Sequence, residues 1–152
     1  TCVPIGGSIV TVDFSRCLSL RLCANQPDPL MTVNCSYGSV SKMTGLNGEA
    51  RFRIVGGAVV PPGGNCDPPL CASIYADGVL LGSPQATAYD LDNVNGLTPG
   101  DLSLWLGHFF SSACTVADYD CSGAANPSDL SLWLLAYFSA GSLESCGGGN
   151  CP

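Results

Sequence analysis

One segment of the chain occurs twice. Asp101-Leu-Ser-Leu-Trp-Leu106 recurs letter for letter as Asp129-Leu-Ser-Leu-Trp-Leu134, 28 residues later (129 − 101). The surroundings repeat with it: Pro99 matches Pro127, Phe110 matches Phe138, and Asp90 and Asp92 match Asp118 and Asp120. A fixed period of this kind means one supersecondary unit used twice. Within each copy the apolar residues fall at i, i+3, i+4 and i+7, as Leu102, Trp105, Leu106 and Phe109, then as Leu130, Trp133, Leu134 and Tyr137. That spacing predicts a helix in each copy, the second running from Leu130 to Phe138. Asp101 and Asp129 stand where the helices begin, and a carboxylate suits the positive end of a helix.

The acidic residues ahead of each helix have the spacing of a calcium loop. Calcium takes six to eight oxygens, supplied by loop positions 1, 3, 5, 7, 9 and 12, with glycine at 6 for the sharp turn. In the second copy those positions are Asp118, Asp120, Ser122, the Ala124 carbonyl, Asn126 and Asp129, and Gly123 falls at position 6. In the first copy Asp90, Asp92 and Asp101 keep the spacing, but Gly96 comes one place late and Val94 occupies position 5. Asn93 or Asn95 supplies the missing oxygen if the loop bulges. One or two calcium ions are therefore expected. The alternative is that these Asp and Asn residues serve only as turn formers and helix caps.

Two such loops, each feeding one helix, resemble a dockerin, and the resemblance covers roughly Tyr89 to Ala140. It implies Asp118, Asp120, Ser122, Asn126, Asp129, Asp90, Asp92 and Asp101 as ligands, and a cohesin-like β-sandwich as partner. Dockerins often carry a small hydroxyl pair at loop positions 10 and 11. This chain has Pro99-Gly100 and Pro127-Ser128 there, a departure from ordinary cellulosomal recognition.

The ten cysteines are an even number and a high fraction of 152 residues. No Cys-x-x-Cys occurs, and the lone histidine, His108, lies in the first helical run, so zinc is the weaker reading. A disulfide framework in a secreted or cell-surface, oxidising setting is expected. Short-range candidate pairs are Cys66–Cys71, Cys114–Cys121 and Cys146–Cys151. The chain begins at Thr1 and is read as a processed form, without a membrane-length apolar run. All five basic residues lie between Arg16 and Arg53; nine acids and no Lys or Arg follow. With a net charge of −7, nucleic acid is not an expected partner. Clustered carboxylates without cations nearby call for a bound divalent ion.

Up to about Ser83 the chain reads as β. Candidate strands are Ser8 to Phe14, Cys17 to Cys23, Met31 to Tyr37, Ser39 to Thr44, Glu49 to Val55, Ala58 to Val60, Cys71 to Ala76 and Val79 to Gly82. Asn47-Gly48 and Asp77-Gly78 mark tight turns. Many short strands imply a sandwich or barrel. Thr44-Gly-Leu-Asn-Gly-Glu-Ala-Arg-Phe-Arg-Ile54 resembles a stretch of bacterial immunoglobulin-like surface modules. The fold expected is mainly β with a small α part. An immunoglobulin-like sandwich spans residues 1–84, dockerin-like repeats 85–141 and a Gly/Cys-rich tail 142–152. The tail is expected to be disordered unless tied down. Pro61 to Pro69 reads as a stapled connection, and Asn34-Cys35-Ser36 has the form of an N-glycosylation acceptor.

Leu104, Phe110, Leu132, Leu135 and Phe138 fall off the helical stripe. Helices apolar nearly all round have no solvent face. These five residues are therefore candidates for an interface, covered by the sandwich or by another chain. Trp105 and Trp133 are read as core rather than as sugar platforms, and His108 as structural. No nucleophile elbow, phosphate loop or His-based metal motif occurs, so no catalytic residue is expected. The expectation is a non-catalytic, extracellular, calcium-binding structural protein. Copies of itself or a cohesin-like module are its partners, with glycans as candidates.

Overall fold

A computed structural model describes residues 3–59, 67, 70–111, 115–139, 146 and 149–151. Seven strands come first: β1 (Ile9–Asp13), β2 (Leu20–Leu22), β3 (Thr32–Asn34), β4 (Ser39–Met43), β5 (Gly56–Ala58), β6 (Ser73–Ala76) and β7 (Val79–Gly82). Two helices follow, α1 (Pro99–Ser111) and α2 (Pro127–Ser139), with a 3-10 turn at Thr115–Ala117 between them. Among the described residues the chain is thus sheet-rich with a small helical part, and no helix is long and apolar enough to cross a membrane.

All strand pairs are antiparallel, forming a five-stranded sheet in the order β3-β4-β1-β6-β7 and a two-stranded sheet, β2-β5. The alternation of β1 explains its central place. Val12 is buried and stands opposite Val40 on one side and Ile74 on the other, while its neighbours along the strand are only half-buried. Val12 and Val40 join Leu22 of the second sheet, Met31 and Cys151 in one apolar cluster. Asp77-Gly78 makes the tight β6–β7 turn, with both residues at positive φ (48° and 80°), the pattern that matches strand twist. β7 closes one edge of the sheet and is exposed along its whole length.

One expected strand is absent. Glu49 to Val55 alternates, and Phe52 and Ile54 do pack on the apolar cluster, but no ladder forms there. Gln26 takes the place of a partner strand. Its side-chain oxygen accepts from the Val55 N–H (2.7 Å), and its amide donates to the Val55 and Cys23 carbonyls (2.8 Å each). The strand near Ala58 begins earlier than expected, at Gly56, because Gly56 and Gly57 allow close approach to β2. A side chain at Gly56 would meet the Arg21 carbonyl at 2.5 Å.

The short-range disulfides are corrected by the structure. Cys71 pairs with Cys17, Cys146 with Cys23 and Cys151 with Cys35, across 54, 123 and 116 residues. Nearness in sequence does not bring Cα atoms to disulfide distance; here the tail returns to the sheets. Cys151 N–H donates to the Leu22 carbonyl (2.8 Å) and Ala24 N–H to the Gly149 carbonyl (3.0 Å). Cys121 is an exposed free thiol, while Cys2, Cys66 and Cys114 lie outside the described residues, as do most of the 61–69 connection and residues 140–145.

The helical part shares a core with the second sheet. Ala58 and Leu20 pack with Ala88, Leu91, Trp105, Val116 and Ala117, residues from both sides of position 84. Ala58 N–H donates to the Asp90 carbonyl (2.7 Å), and Gly57 lies directly under Asn93. A Cβ at Gly57 would sit 2.2 Å from Asn93 Oδ1 and 2.9 Å from its Cα, so backbone must move. Gly57→Ala is expected to lose about 1–3 kcal/mol by overpacking, read as a lower urea midpoint with unchanged slope.

Candidate metal centre

Each helix is set by a cap that also builds the loop before it. Pro99 and Pro127 occupy the first helical position, where a missing N–H costs nothing. Thr98 and Asn126 precede them as caps: Gly100 N–H donates to Thr98 Oγ1 (3.2 Å) and Ser128 N–H to Asn126 Oδ1 (2.8 Å). Asp101 and Asp129 lie one half-turn inside and reach back, completing a capping box with Thr98 N–H (2.7 Å) and Asn126 N–H (2.8 Å). The helices therefore start two residues before the aspartates, not at them.

The same two carboxylates tie off the loops. Asp129 Oδ1 accepts from Tyr119 N–H (2.6 Å) and Asp120 N–H (2.9 Å); Asp101 Oδ1 accepts from Leu91 N–H (2.6 Å) and Asp92 N–H (3.1 Å). Both side chains are fully buried. The identical pattern at a 28-residue offset shows the repeat to be structural as well as textual.

The tryptophans lock the two copies together. Trp105 Nε1 donates to the Ala117 carbonyl and Trp133 Nε1 to the Tyr89 carbonyl, 3.3 Å each. Ala117 and Tyr89 are the residues just before the two loops, so each helix holds the other's loop. Trp105 stacks on Phe109 and Trp133 on Tyr137, and both tryptophans are 1% exposed, in the core as expected. His108 is half-buried, and burial pushes its pKa down.

Two acidic triads result. Carboxylate oxygens of Asp90, Asp92 and Asp101 lie within 4.8 Å of one another, and so do those of Asp118, Asp120 and Asp129. In the second loop Asp118 is buried, accepting Ser122 N–H (3.0 Å) and Gly123 N–H (2.8 Å). Asp120 accepts Ser122 N–H (3.0 Å), and hydrogen bonding to Ser122 holds its pKa below the usual range. Gly123 has φ +97°, as position 6 requires. Ser122 Oγ and the Ala124 carbonyl converge on the Asn126 amide nitrogen, at 2.8 and 3.2 Å. Asn126 Oδ1 is already engaged as the helix cap.

The first loop reaches the same shape with different residues. Asn95 takes position 6 at φ +61°, a conformation asparagine tolerates, so the late Gly96 does not spoil the turn. Asn95 is exposed there. Asn93 also has positive φ, 57°, and its buried side-chain oxygen faces Gly57 without a hydrogen-bond partner. Asp90 Oδ1 is likewise buried and unpartnered. Burial, then the charges of Asp101 and Asp92, push the Asp90 carboxyl up to about 6.

These residues suit a hard metal ion. The donors are all oxygens, no histidine or thiolate belongs to either triad, and the orphaned Asp90 oxygen is an acceptor without a donor. Either triad could hold a metal ion. Asp129 accepts three backbone N–H bonds and keeps a lone pair on Oδ2 for an ion, whereas on Asp101 the Thr98 hydroxyl (3.1 Å) fills that place and an ion would have to displace it.

The other candidates fall as follows. Leu104, Phe110, Leu135 and Phe138 are exposed on the helices, and Leu132 is half-buried. Asn34 is exposed at the end of β3, next to the disulfide-bonded Cys35. Sequence reasoning missed the Thr98 cap and the Gln26 clamp, and offered capping by Asn126 only as the alternative to calcium. The Thr-Pro-x-Asp and Asn-Pro-x-Asp runs carried the signal for the caps; nothing local marked Gln26. No protein-family model, curated protein or solved structure matches the chain.

Proposed function

We propose that this chain is a non-catalytic, extracellular calcium-binding structural protein, a self-assembling subunit of a secreted fibre or surface layer. In this reading an immunoglobulin-like sandwich is followed by a dockerin-like pair of calcium loops. The observation that carries it is the same acidic triad at the same loop positions in both repeats, each tied into the helix it precedes. Six carboxylates in two clusters, with no Lys or Arg after Arg53, favour a divalent ion that offsets their repulsion. All-oxygen donors in short flexible loops favour calcium over softer or stricter ions. Asp90, Asp92 and Asp101 would hold one ion, and Asp118, Asp120 and Asp129, with Ser122 and the Ala124 carbonyl, the other. Its charge would let the loops stay closed. Three disulfides among the described residues are compatible with an oxidising location.

A second reading is a docking module for a separate cohesin-like or carbohydrate partner. The exposed Leu104, Phe110, Leu135 and Phe138 on that same module favour it.

Calorimetry of chelated protein titrated with calcium tests the first reading. Two ions per chain are expected, with each occupied site adding about 2.7 kcal/mol at a hundredfold excess over its Kd and a matching rise in Tm. No heat and no Tm change would sink it.

The pH dependence has a definite sign. An ion favours ionised Asp90, and protons favour the other form, so acidification through about 6 should weaken the first site. Calcium titrations above and below that value should show fewer ions bound on the acid side. Equal binding at both would remove Asp90 from the ligand set.

A further inference from the structure

We propose that the two loops fill in order, the second before the first, and that the stacked rings of Tyr89 and Tyr119 carry the gain from one to the other. The inference rests on the calcium reading and names how its two sites act on each other. Tyr119 lies inside the second loop, between Asp118 and Asp120. Tyr89 stands immediately before Asp90, the first residue of the first loop. Their ring centroids are 4.5 Å apart with the planes 28° from parallel, so a residue of one loop rests on the entrance of the other. The Tyr119 hydroxyl is buried and makes no hydrogen bond among the described residues. Its pKa is pushed up by burial, then by Tyr89, and then by the charges of Asp101 and Asp129, one from each triad. The stack therefore sits between the two triads. The tryptophans frame it. Trp133 Nε1 holds the Tyr89 carbonyl and Trp105 Nε1 the Ala117 carbonyl, so both loop entrances are fixed to helices while the rings touch.

The order follows from the ligand oxygens. Asp129 keeps an open lone pair on Oδ2, and Ser122 and the Ala124 carbonyl add oxygens to its loop. At Asp101 the Thr98 hydroxyl stands in that place, and Val94 occupies position 5. The first loop must therefore break a hydrogen bond to take an ion with fewer oxygens. Filling the second loop offsets part of that cost. Without an ion, three carboxylates within 4.8 Å repel one another and work against the closed loop. An ion across Asp118, Asp120 and Asp129 holds Tyr119 between its ligands and on the Asp129 carboxylate, which accepts its N–H at 2.6 Å. A fixed Tyr119 ring fixes the ring stacked on it, and so the residue next to Asp90. Ordering already done for one ligand is not repeated for the next, which raises the second affinity with no change of shape. One aromatic pair supplies a gain of about five- to tenfold, at the low end of the usual range for two linked sites.

The experiment follows the amide NMR signals of Gly96 and Gly123, one in each loop, as calcium is added to chelated wild type, Asp120→Ala and Tyr89→Leu. Asp120 is exposed and Tyr89 half-buried, and each variant is first checked for a folded spectrum in chelator. In wild type the Gly123 signal is expected to move first and Gly96 after it. In Asp120→Ala, which cripples the second loop, Gly96 should need about five- to tenfold more calcium than in wild type. Tyr89→Leu keeps every ligand, so Gly123 should respond as in wild type while Gly96 is again delayed. Neither signal moving in wild type overturns the calcium reading and this inference with it. Gly96 moving before or together with Gly123 overturns the order. An undelayed Gly96 in Asp120→Ala overturns the coupling, and an undelayed Gly96 in Tyr89→Leu alone removes the stack as its path. Both of those results leave calcium binding standing.

Discussion

Asp129→Ala is expected to lose about 3–6 kcal/mol of stability even without calcium. The Asp129 carboxylate is fully buried and accepts the backbone N–H groups of Tyr119, Asp120 and Asn126. Alanine leaves three backbone donors without their acceptor, and each orphaned buried donor costs about 1–3 kcal/mol. Asparagine does not rescue it. One of its two polar atoms is an NH2 group, which would face a backbone N–H as donor against donor. Asp120→Ala is the control. Asp120 belongs to the same triad but is exposed and bonds within its own loop, to Ser122 and Asn126, so its loss should weaken calcium binding and move the apo Tm far less. Thermal unfolding of the three variants in chelator, then in calcium, separates the two roles. Equal apo stability of Asp129→Ala and wild type would show that the cap and loop bonds carry no net energy.

The second large effect concerns the tail. The Cys23–Cys146 and Cys35–Cys151 bonds close loops of 123 and 116 residues. They are not independent, because with either one in place the other closes only 12 residues on one side and 5 on the other. Chain entropy gives about 3 kcal/mol for a loop near that size and about 4.7 kcal/mol for one near a hundred residues. Replacing either pair by alanine should therefore lose about 3 kcal/mol, and replacing both about 8 kcal/mol. The excess over twice the single loss is the mark of nested crosslinks. Denaturant midpoints of the two single-pair variants and the combined variant measure it. Strict additivity would mean that the two bonds act separately on the native state.

Much of the α part was legible from the residues. A six-residue segment repeated verbatim 28 positions on, apolar spacing of 3.6 and paired aspartates at fixed offsets are signals in the residues themselves, and the structure has two matching helices with two matching triads. Helix starts were misplaced by two residues because a proline-led first turn has no apolar periodicity to read. Seven of the eight expected strand segments overlap a strand of the structure, read from alternation, as at Val10 and Val12, and from turn residues, as at Asp77-Gly78. Glu49 to Val55 alternates just as well but is not a strand, since pairing depends on a neighbour and Gln26 stands where one would be.

Local chemistry thus set out the helices, the loops and the turns, because each depends on residues within a dozen positions of one another. Contacts across long separations obeyed a different rule. That Cys151 meets Cys35, that Trp133 holds the Tyr89 carbonyl and that Gly57 lies beneath Asn93 follow from how the sheets and helices pack. The energy of packing belongs to surfaces assembled from many segments, and no short stretch of the chain records which other stretch will cover it.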